Sequence, residues 1–391
     1  MFGAGGESSV DDMMNWQAHL QAGTPTSSMN KQNVSKAKSN NNQSQTFTCD
    51  LLKVAVDAHA AFLMVAWQMD GSNPKAPQKF AVEAFVPWLA KQVKLCKRVV
   101  CCYEAGPTGF WLHRQIVAIG ASNYVVCPTC LDSRRKGVNT DKTDALELLS
   151  RLDRYVAGNQ KAFSTVRVPT EEEEKRRLVP RQREQLRSHR LSLASMGRTL
   201  MLLHGHRETN HWWKKGYWEA LQKHLPAWMV ERLRVFQKLI AGVDAELEAL
   251  DKIIEAKAPE KRPKGLGALS HEQIESEVCD WGRFKTWRQV GGYAGLTGGV
   301  SGSGEQLADL SITKAGNKRL RTTAIELAWR MVYYQPDYWL VKKWRKVLRN
   351  PAAHGRRKKQ VIVAFARQLL VDLWKWKTGR ASAESLGWIM A

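Results

Sequence analysis

Leu51-Leu52-Lys53-Val54-Ala55-Val56-Asp57 is an apolar run interrupted by one lysine and closed by a carboxylate. It predicts a strand that delivers Asp57 to its end. A second run, Val99-Val100-Cys101-Cys102-Tyr103, ends in the same way on Glu104. Further along, Asn139-Thr140-Asp141-Lys142-Thr143-Asp144-Ala145 opens a helical pattern, and its spacing puts Asp141 and Asp144 on one helix face. Strands are expected near 51–57, 61–69, 98–103 and 123–127, with helices near 82–94 and 108–120. Two early strands joined without a helix fit an α/β domain around a mixed sheet, closed by the helix that carries Asp141 and Asp144.

One carboxylate at a strand end or helix start usually caps or solvates. Four of them, Asp57, Glu104, Asp141 and Asp144, point instead to a magnesium site. Mg²⁺ takes oxygen ligands, and two such ions can clamp the attacking and leaving oxygens of a phosphodiester. Without metal, four like charges in one cleft repel and raise one another's pKa values.

Composition favours that substrate class. The chain has 391 residues, 60 Lys and Arg against 37 Asp and Glu, and a formal charge of +23, so its field attracts polyanions, nucleic acid first. At 43% hydrophobic residues it can bury real cores in two or three domains. The longest clean apolar run, about Ala60 to Trp67, falls far short of the roughly 20 residues of a membrane span. With no basic, apolar leader at the start, a cytoplasmic location at the nucleoid is expected, and all seven cysteines are expected to stay reduced. Cys127 and Cys130 are spaced like half a zinc site, but no second pair accompanies them, so packed thiols are the simpler reading.

The chain divides into residues 1–48, polar and without apolar periodicity and therefore expected to be disordered; 49–165, the α/β catalytic domain; 166–262, a helical coiled-coil region; and 263–391, mostly α-helical. The coiled-coil region begins with Thr170 and Glu173 at capping-box spacing, and Pro180 is expected to kink or restart its first helix. Leu233, Phe236, Ile240, Val243, Leu247, Leu250 and Ile254 then form a seam of about three heptads, free to pair with the earlier helix or with another subunit. A homo-oligomer fits either choice. Pro259 to Gly267 reads as a linker.

Beyond it, Gly291 to Gly304 is a glycine-rich loop that lets a large ligand approach closely, and it holds Ser303. Serine needs activation to act as a nucleophile, and this loop has no histidine to serve as its base. Lys314, Asn317, Lys318, Arg319 and Arg321 follow at the opening of a helix, and Arg356, Arg357, Lys358 and Lys359 form a second basic cluster; both are candidate phosphate contacts. Sixteen tryptophans lie among Lys and Arg, which suits base stacking and core packing equally.

Val56-Asp57, Tyr103-Glu104-Ala105-Gly106-Pro107-Thr108-Gly109 and Thr140-Asp141-Lys142-Thr143-Asp144-Ala145 resemble the RuvC-like (RNase H-like) domain of DEDD transposases of the insertion-sequence one-hundred-and-ten group. Gly265-Leu266-Gly267, Trp281-Gly282-Arg283-Phe284, Tyr293-Ala294-Gly295-Leu296, Ser303-Gly304 and Thr313 to Arg321 are similar, in the same order, to that group's transposase domain. The resemblance implies an RNA-guided recombinase that cuts and rejoins donor and target DNA under a noncoding bridge RNA. It implies that Asp57, Glu104, Asp141 and Asp144 bind Mg²⁺ and that Ser303 forms a covalent phosphoserine link to DNA. It also implies dimers, and tetramers on DNA in which tetrad and serine meet across subunits. The chain departs from the group at Gly298-Gly299-Val300, which leaves Ser301 as a rival to Ser303. The alternative function is a metal-dependent, structure-specific nuclease of the junction-resolvase type, without serine chemistry.

Overall fold

The computed structural model describes residues 47–128, 140–303 and 306–391, so Cys130 and nearly all of the expected N-terminal extension lie outside the described residues. Strands β1 (Cys49–Ala58), β2 (Leu63–Met69), β3 (Gln78–Phe80), β4 (Cys96–Glu104) and β5 (Ser122–Val126) form a five-stranded sheet in the order β3-β2-β1-β4-β5. β1 pairs antiparallel with β2 and parallel with β4, which is itself parallel to β5, so the sheet is mixed as expected. β3, only three residues long, is too short to leave a periodic signal.

Strand alternation sends successive residues to opposite faces. Leu52, Val54, Val56, Cys101 and Tyr103 face α1 (Val82–Leu95) and α2 (Trp111–Ala118), where Phe85, Leu89, Leu112 and Ile116 are buried. Ala55, Val100 and Cys102 face α3 (Asp141–Val156), which buries Ala145, Leu148, Leu149 and Leu152 against them. Each fully buried leucine contributes roughly 1.5–3 kcal/mol, against a few tenths for a pair on the helix surface. Packing therefore sets where α3 lies. Lys53, buried on the same face, reaches Asp153 at 2.5 Å and the Asp70 carbonyl at 2.8 Å, which fixes the far end of the helix.

One expectation about cysteine is corrected. The parallel register puts Cys49 opposite Cys96, with Cα atoms 4.9 Å apart, and the two form a disulfide rather than remaining free thiols. Cys101 and Cys102 are buried thiols.

The next region is a helical hairpin, α4 (Glu171–Leu203), α5 (Lys215–Leu221) and α6 (Ala227–Lys257). Arg183 pairs with Asp251 and Arg190 with Asp244, so α4 and α6 run antiparallel within the chain. Leu233, Phe236 and Ile240 of the seam pack with Ala194 and Met201 of α4. Trp212 fills the tip of the hairpin, where a Cβ on Gly197 would lie 2.2 Å from its ring, and its Nε1 donates to the Ala194 carbonyl at 3.0 Å. Pro180 does not restart the helix; α4 runs continuously through it. A helix-interior proline costs about 3 kcal/mol, but here Arg176 and Arg181 on either side bind Glu272 and Glu277 bidentately.

Those glutamates belong to α7 (Ala268–Val278), the first helix of a mostly helical C-terminal part. It continues through α8 (Trp287–Tyr293), the hairpin β6 (Gly298–Ser303) and β7 (Gln306–Ile312), α9 (Lys318–Tyr334), α10 (Trp339–Leu348), α11 (Gly355–Lys377) and α12 (Ala383–Leu386). Ala324, Leu327 and Ala328 of α9 pack against Phe365, Ala366 and Leu369 of α11, all fully buried. The expected glycine loop is thus the end of α8, a turn and the first strand of the β6–β7 hairpin. The expected linker is also tied down, because Lys264 N donates to the Ile389 carbonyl at 2.8 Å and Pro263 bridges to Met390. No helix among the described residues is long and apolar enough to cross a membrane.

Candidate metal centre

Val56 and Tyr103 are partners in the parallel register, so Asp57 and Glu104 follow side by side at the ends of β1 and β4. By alternation both fall on the face covered by α3. At the start of that helix, Thr140 and Thr143 cap each other: Thr143 N donates to Thr140 Oγ1 at 3.3 Å and Thr140 N to Thr143 Oγ1 at 3.0 Å. The two threonines of the Thr140-to-Asp144 motif thus close the helix end, leaving Asp141 and Asp144 in its first turn, where the helix dipole favours negative charge.

Asp57 and Glu104 feel their acidic neighbours. Burial pushes Asp57 up from the usual range, a nearby histidine, His59, opposes it, and the charges of Asp141 and Asp144 add to the rise. Burial also raises Glu104, reinforced by Asp57 and Asp144. Like-charge repulsion thus adds to burial in raising Asp57 and Glu104, as expected where carboxylates share a cleft. His59 was not anticipated. Its Nε2 lies 3.0 Å from Asp57 Oδ2 and 3.6 Å from Asp141 Oδ1. The signal available was Asp57-Ala58-His59 itself, two donors two residues apart at a strand end.

Ser301 and Ser303 lie on β6, opposite Ala308 and Gln306. The base of their hairpin is joined to the start of α9, since Thr313 N donates to the Thr297 carbonyl at 2.9 Å and Lys314 N to that of Gly295 at 3.2 Å. Here Tyr293-Ala294-Gly295 and Lys314 to Arg321 interlock. Gly316 has φ +148°, and a Cβ there would meet Gly295 N and the Tyr293 carbonyl at 2.6 Å.

Several candidate phosphate contacts are engaged in this framework. Asn317 caps α9, accepting from Leu320 N at 3.0 Å, and donates to Glu277 at 2.7 Å. Arg321 donates to the carbonyls of Ala294 and Lys314, and Arg319 pairs with Glu184. Lys314 and Lys318 are exposed. So are Arg356, Arg357 and Lys359, with Lys358 half-buried, at the start of α11. Sequence reading passed over α10, which carries exposed Lys343, Arg345 and Lys346. The signal was the absence of any Asp or Glu between Asp337 and Asp372. Of the tryptophans, Trp212, Trp213, Trp218 and Trp374 are core, while Trp339 and Trp329 are partly exposed.

The profile of the transposase IS116/IS110/IS902 family matches residues 261–344, the stretch that contains this interlock. The candidate transposase y4rJ of Sinorhizobium fredii is 33% identical over 300 residues, covering 70% of this chain and 75% of that one. The chain belongs to this transposase family. A second candidate transposase of that organism, y4qE, is 31% identical over 82% of this chain and 87% of its own length. The transposase of insertion sequence element IS1533 of Leptospira borgpetersenii is 29% identical over 34% of this chain and 38% of its own. This transposase is accordingly an enzyme that acts on DNA, and its group of acidic residues with His59 could hold a metal ion.

Proposed function

We propose that this transposase is an RNA-guided DNA recombinase with a RuvC-like catalytic domain over 49–165, a coiled-coil region over 166–262 and a serine-bearing transposase domain over 263–391. The observation that carries the reading is that Asp57 and Glu104, at the ends of the adjacent central strands β1 and β4, lie near Asp144 of the first turn of α3, with Asp141 near Asp57, in a chain of transposase ancestry. Their donor set fits Mg²⁺, being hard oxygens held close enough to repel. Bound there, Mg²⁺ supplies charge for the attacking and leaving oxygens of a phosphodiester.

The protein's own groups do the rest. The carboxylates hold the cleft's geometry. Ser303 Oγ forms a bond to a DNA phosphorus while the bond to one bridging oxygen breaks, and the hydroxyl proton passes to that departing oxygen. The nucleotide is thereby held on the serine until the new strand displaces it. Exposed cations of α9, α10 and α11 bind phosphates of donor DNA, target DNA and a bridge RNA. Homo-oligomers, assembled on DNA with support from the coiled-coil region, bring serine and carboxylates together across subunits at the nucleoid.

The test is to co-express the protein with the DNA flanking its reading frame, sequence the RNA that co-purifies, and assay strand exchange with Mg²⁺. A discrete flanking RNA, exchange, and a denaturant-resistant protein–DNA adduct are expected. Ser303→Ala and Asp57→Ala should each abolish exchange. A Ser303→Ala protein that still cuts without an adduct would make the enzyme a metal-only nuclease.

A further inference from the structure

His59 is not one of the four carboxylates, yet its ring nitrogen lies beside two of them, Asp57 and Asp141. Among the described residues, Asp57, His59 and Asp141 are the three donors whose ligand atoms all come within 4.8 Å of one another. Cis ligands around a cation with bonds of about 2.1–2.2 Å stand roughly 3 Å apart. The separations of 3.0 and 3.6 Å from His59 Nε2 to Asp57 Oδ2 and Asp141 Oδ1 are close to that edge.

The imidazole is held in this place from outside the cluster. His59 N donates to the Phe62 carbonyl at 3.0 Å, which closes the turn between β1 and β2. The ring then stacks on Phe62, with centroids 4.6 Å apart and planes inclined by 27°. Lys79 Nζ sits 3.9 Å from the centroid of the same phenyl ring. The backbone turn and the stacked aromatic thus restrain the ring in addition to its Nε2 contact with Asp57. Asp57, His59 and Asp141 side chains are 27%, 38% and 46% exposed, so ions reach them from solvent.

We propose that His59 Nε2 is itself a ligand of the cation held by Asp57 and Asp141, making this a mixed nitrogen–oxygen position that favours Mn²⁺ over Mg²⁺. The proposal rests on the metal reading above and deepens it. Mg²⁺ is hard, demands oxygen and gives up its water reluctantly, whereas imidazole nitrogen suits first-row transition ions. The neutral ring contributes the Nε2 lone pair, and its proton then resides on Nδ1. An ion at this point replaces the direct contact between His59 and Asp57 by two bonds to itself.

Pulsed EPR of the full-length protein loaded with Mn²⁺ tests the assignment without depending on catalysis. Wild type should show the ¹⁴N coupling of a directly bound imidazole, and His59→Gln should lose it. Loss of an outer-shell partner alone weakens metal binding by about 10–100-fold, so His59→Gln should bind Mn²⁺ at least about tenfold more weakly, with a smaller change for Mg²⁺. Equal melting temperatures of wild type and His59→Gln in chelator would show that the turn still folds. Mn²⁺ bound to wild type without nitrogen coupling, or coupling that persists in His59→Gln, overturns the role of His59 and leaves the carboxylate site standing. Mn²⁺ binding that is absent, or indifferent to Asp57→Asn, overturns the metal reading and this proposal together.

Discussion

Glu104 stands beside Asp57 because Val56 and Tyr103 are register partners on parallel strands and each acid is the next residue. Burial raises the Glu104 carboxyl above its ordinary range, and the charge of Asp57 raises it further. A sheet core thus forces together two groups that repel. That arrangement persists because the apolar residues behind it, Ala55, Val100 and Cys102, are packed under α3.

The metal-free protein should carry this repulsion as a pH dependence. A carboxyl whose folded pKa is raised supports the folded state fully below its unfolded pKa, and that support is lost as pH rises through the folded value. In chelator, Glu104→Gln should therefore melt at a higher temperature than wild type near about pH 7, with the gain shrinking toward about pH 4, near the ordinary carboxylate pKa. Thermal melts across that range check it. A gain that does not vary with pH would remove the like-charge account.

Glu277 should behave in the opposite sense. Burial pushes its carboxyl up, but hydrogen bonds from Arg181 and Asn317 outweigh this and hold it below the usual range. Its contribution is present above the unfolded pKa and lost as pH falls through the folded value. Glu277 is buried but Arg181 is 36% exposed, so removing the acid costs more than the roughly 0–1 kcal/mol of an exposed pair and less than the about 3–5 kcal/mol of a fully buried one. Glu277→Ala should lose stability of that order in urea denaturation, because it strips α4, α7 and α9 of their common acceptor. A loss under about 1 kcal/mol, the range of an exposed pair, would contradict it.

Gly316→Ala should unfold the interlock. At φ +148° an L side chain is strained, and its Cβ would meet backbone atoms of Gly295 and Tyr293 that have nowhere to move. Strain alone costs about 1–3 kcal/mol, and the clash adds to it. Denaturation midpoints compared with Gly242→Ala, where a Cβ meets nothing within 4 Å, separate the clash from general glycine effects.

The α10 surface should carry nucleic-acid affinity. Each phosphate contact to duplex DNA contributes about 0.9 to the slope of log affinity against log salt. Lys343→Ala, Arg345→Ala and Lys346→Ala combined should lower that slope by about 2–3 if all three side chains meet phosphates. An unchanged slope in a salt titration would place the contacts elsewhere.

What the sequence determined by itself was local. Asp57 and Glu104 close apolar runs, and Asp141 and Asp144 share a capped first turn, because strand alternation, helix period and capping act over a few residues. The mixed sheet and the helical C-terminal part followed from the same periodicities. Tertiary structure decided everything that depends on which segment meets which. Register put Cys49 against Cys96 and Asp57 beside Glu104. The seam on α6 could have served another subunit until Arg183 and Arg190 met Asp251 and Asp244 within the chain. Pro263 became part of a β-bridge only because Met390 returns to it. His59 became part of the cluster because a turn closed by the Phe62 carbonyl and a stacked phenyl ring aim its nitrogen between two carboxylates. Short-range preferences are carried by neighbouring residues, whereas such long-range pairings are chosen by the burial and charge pairing of the whole fold.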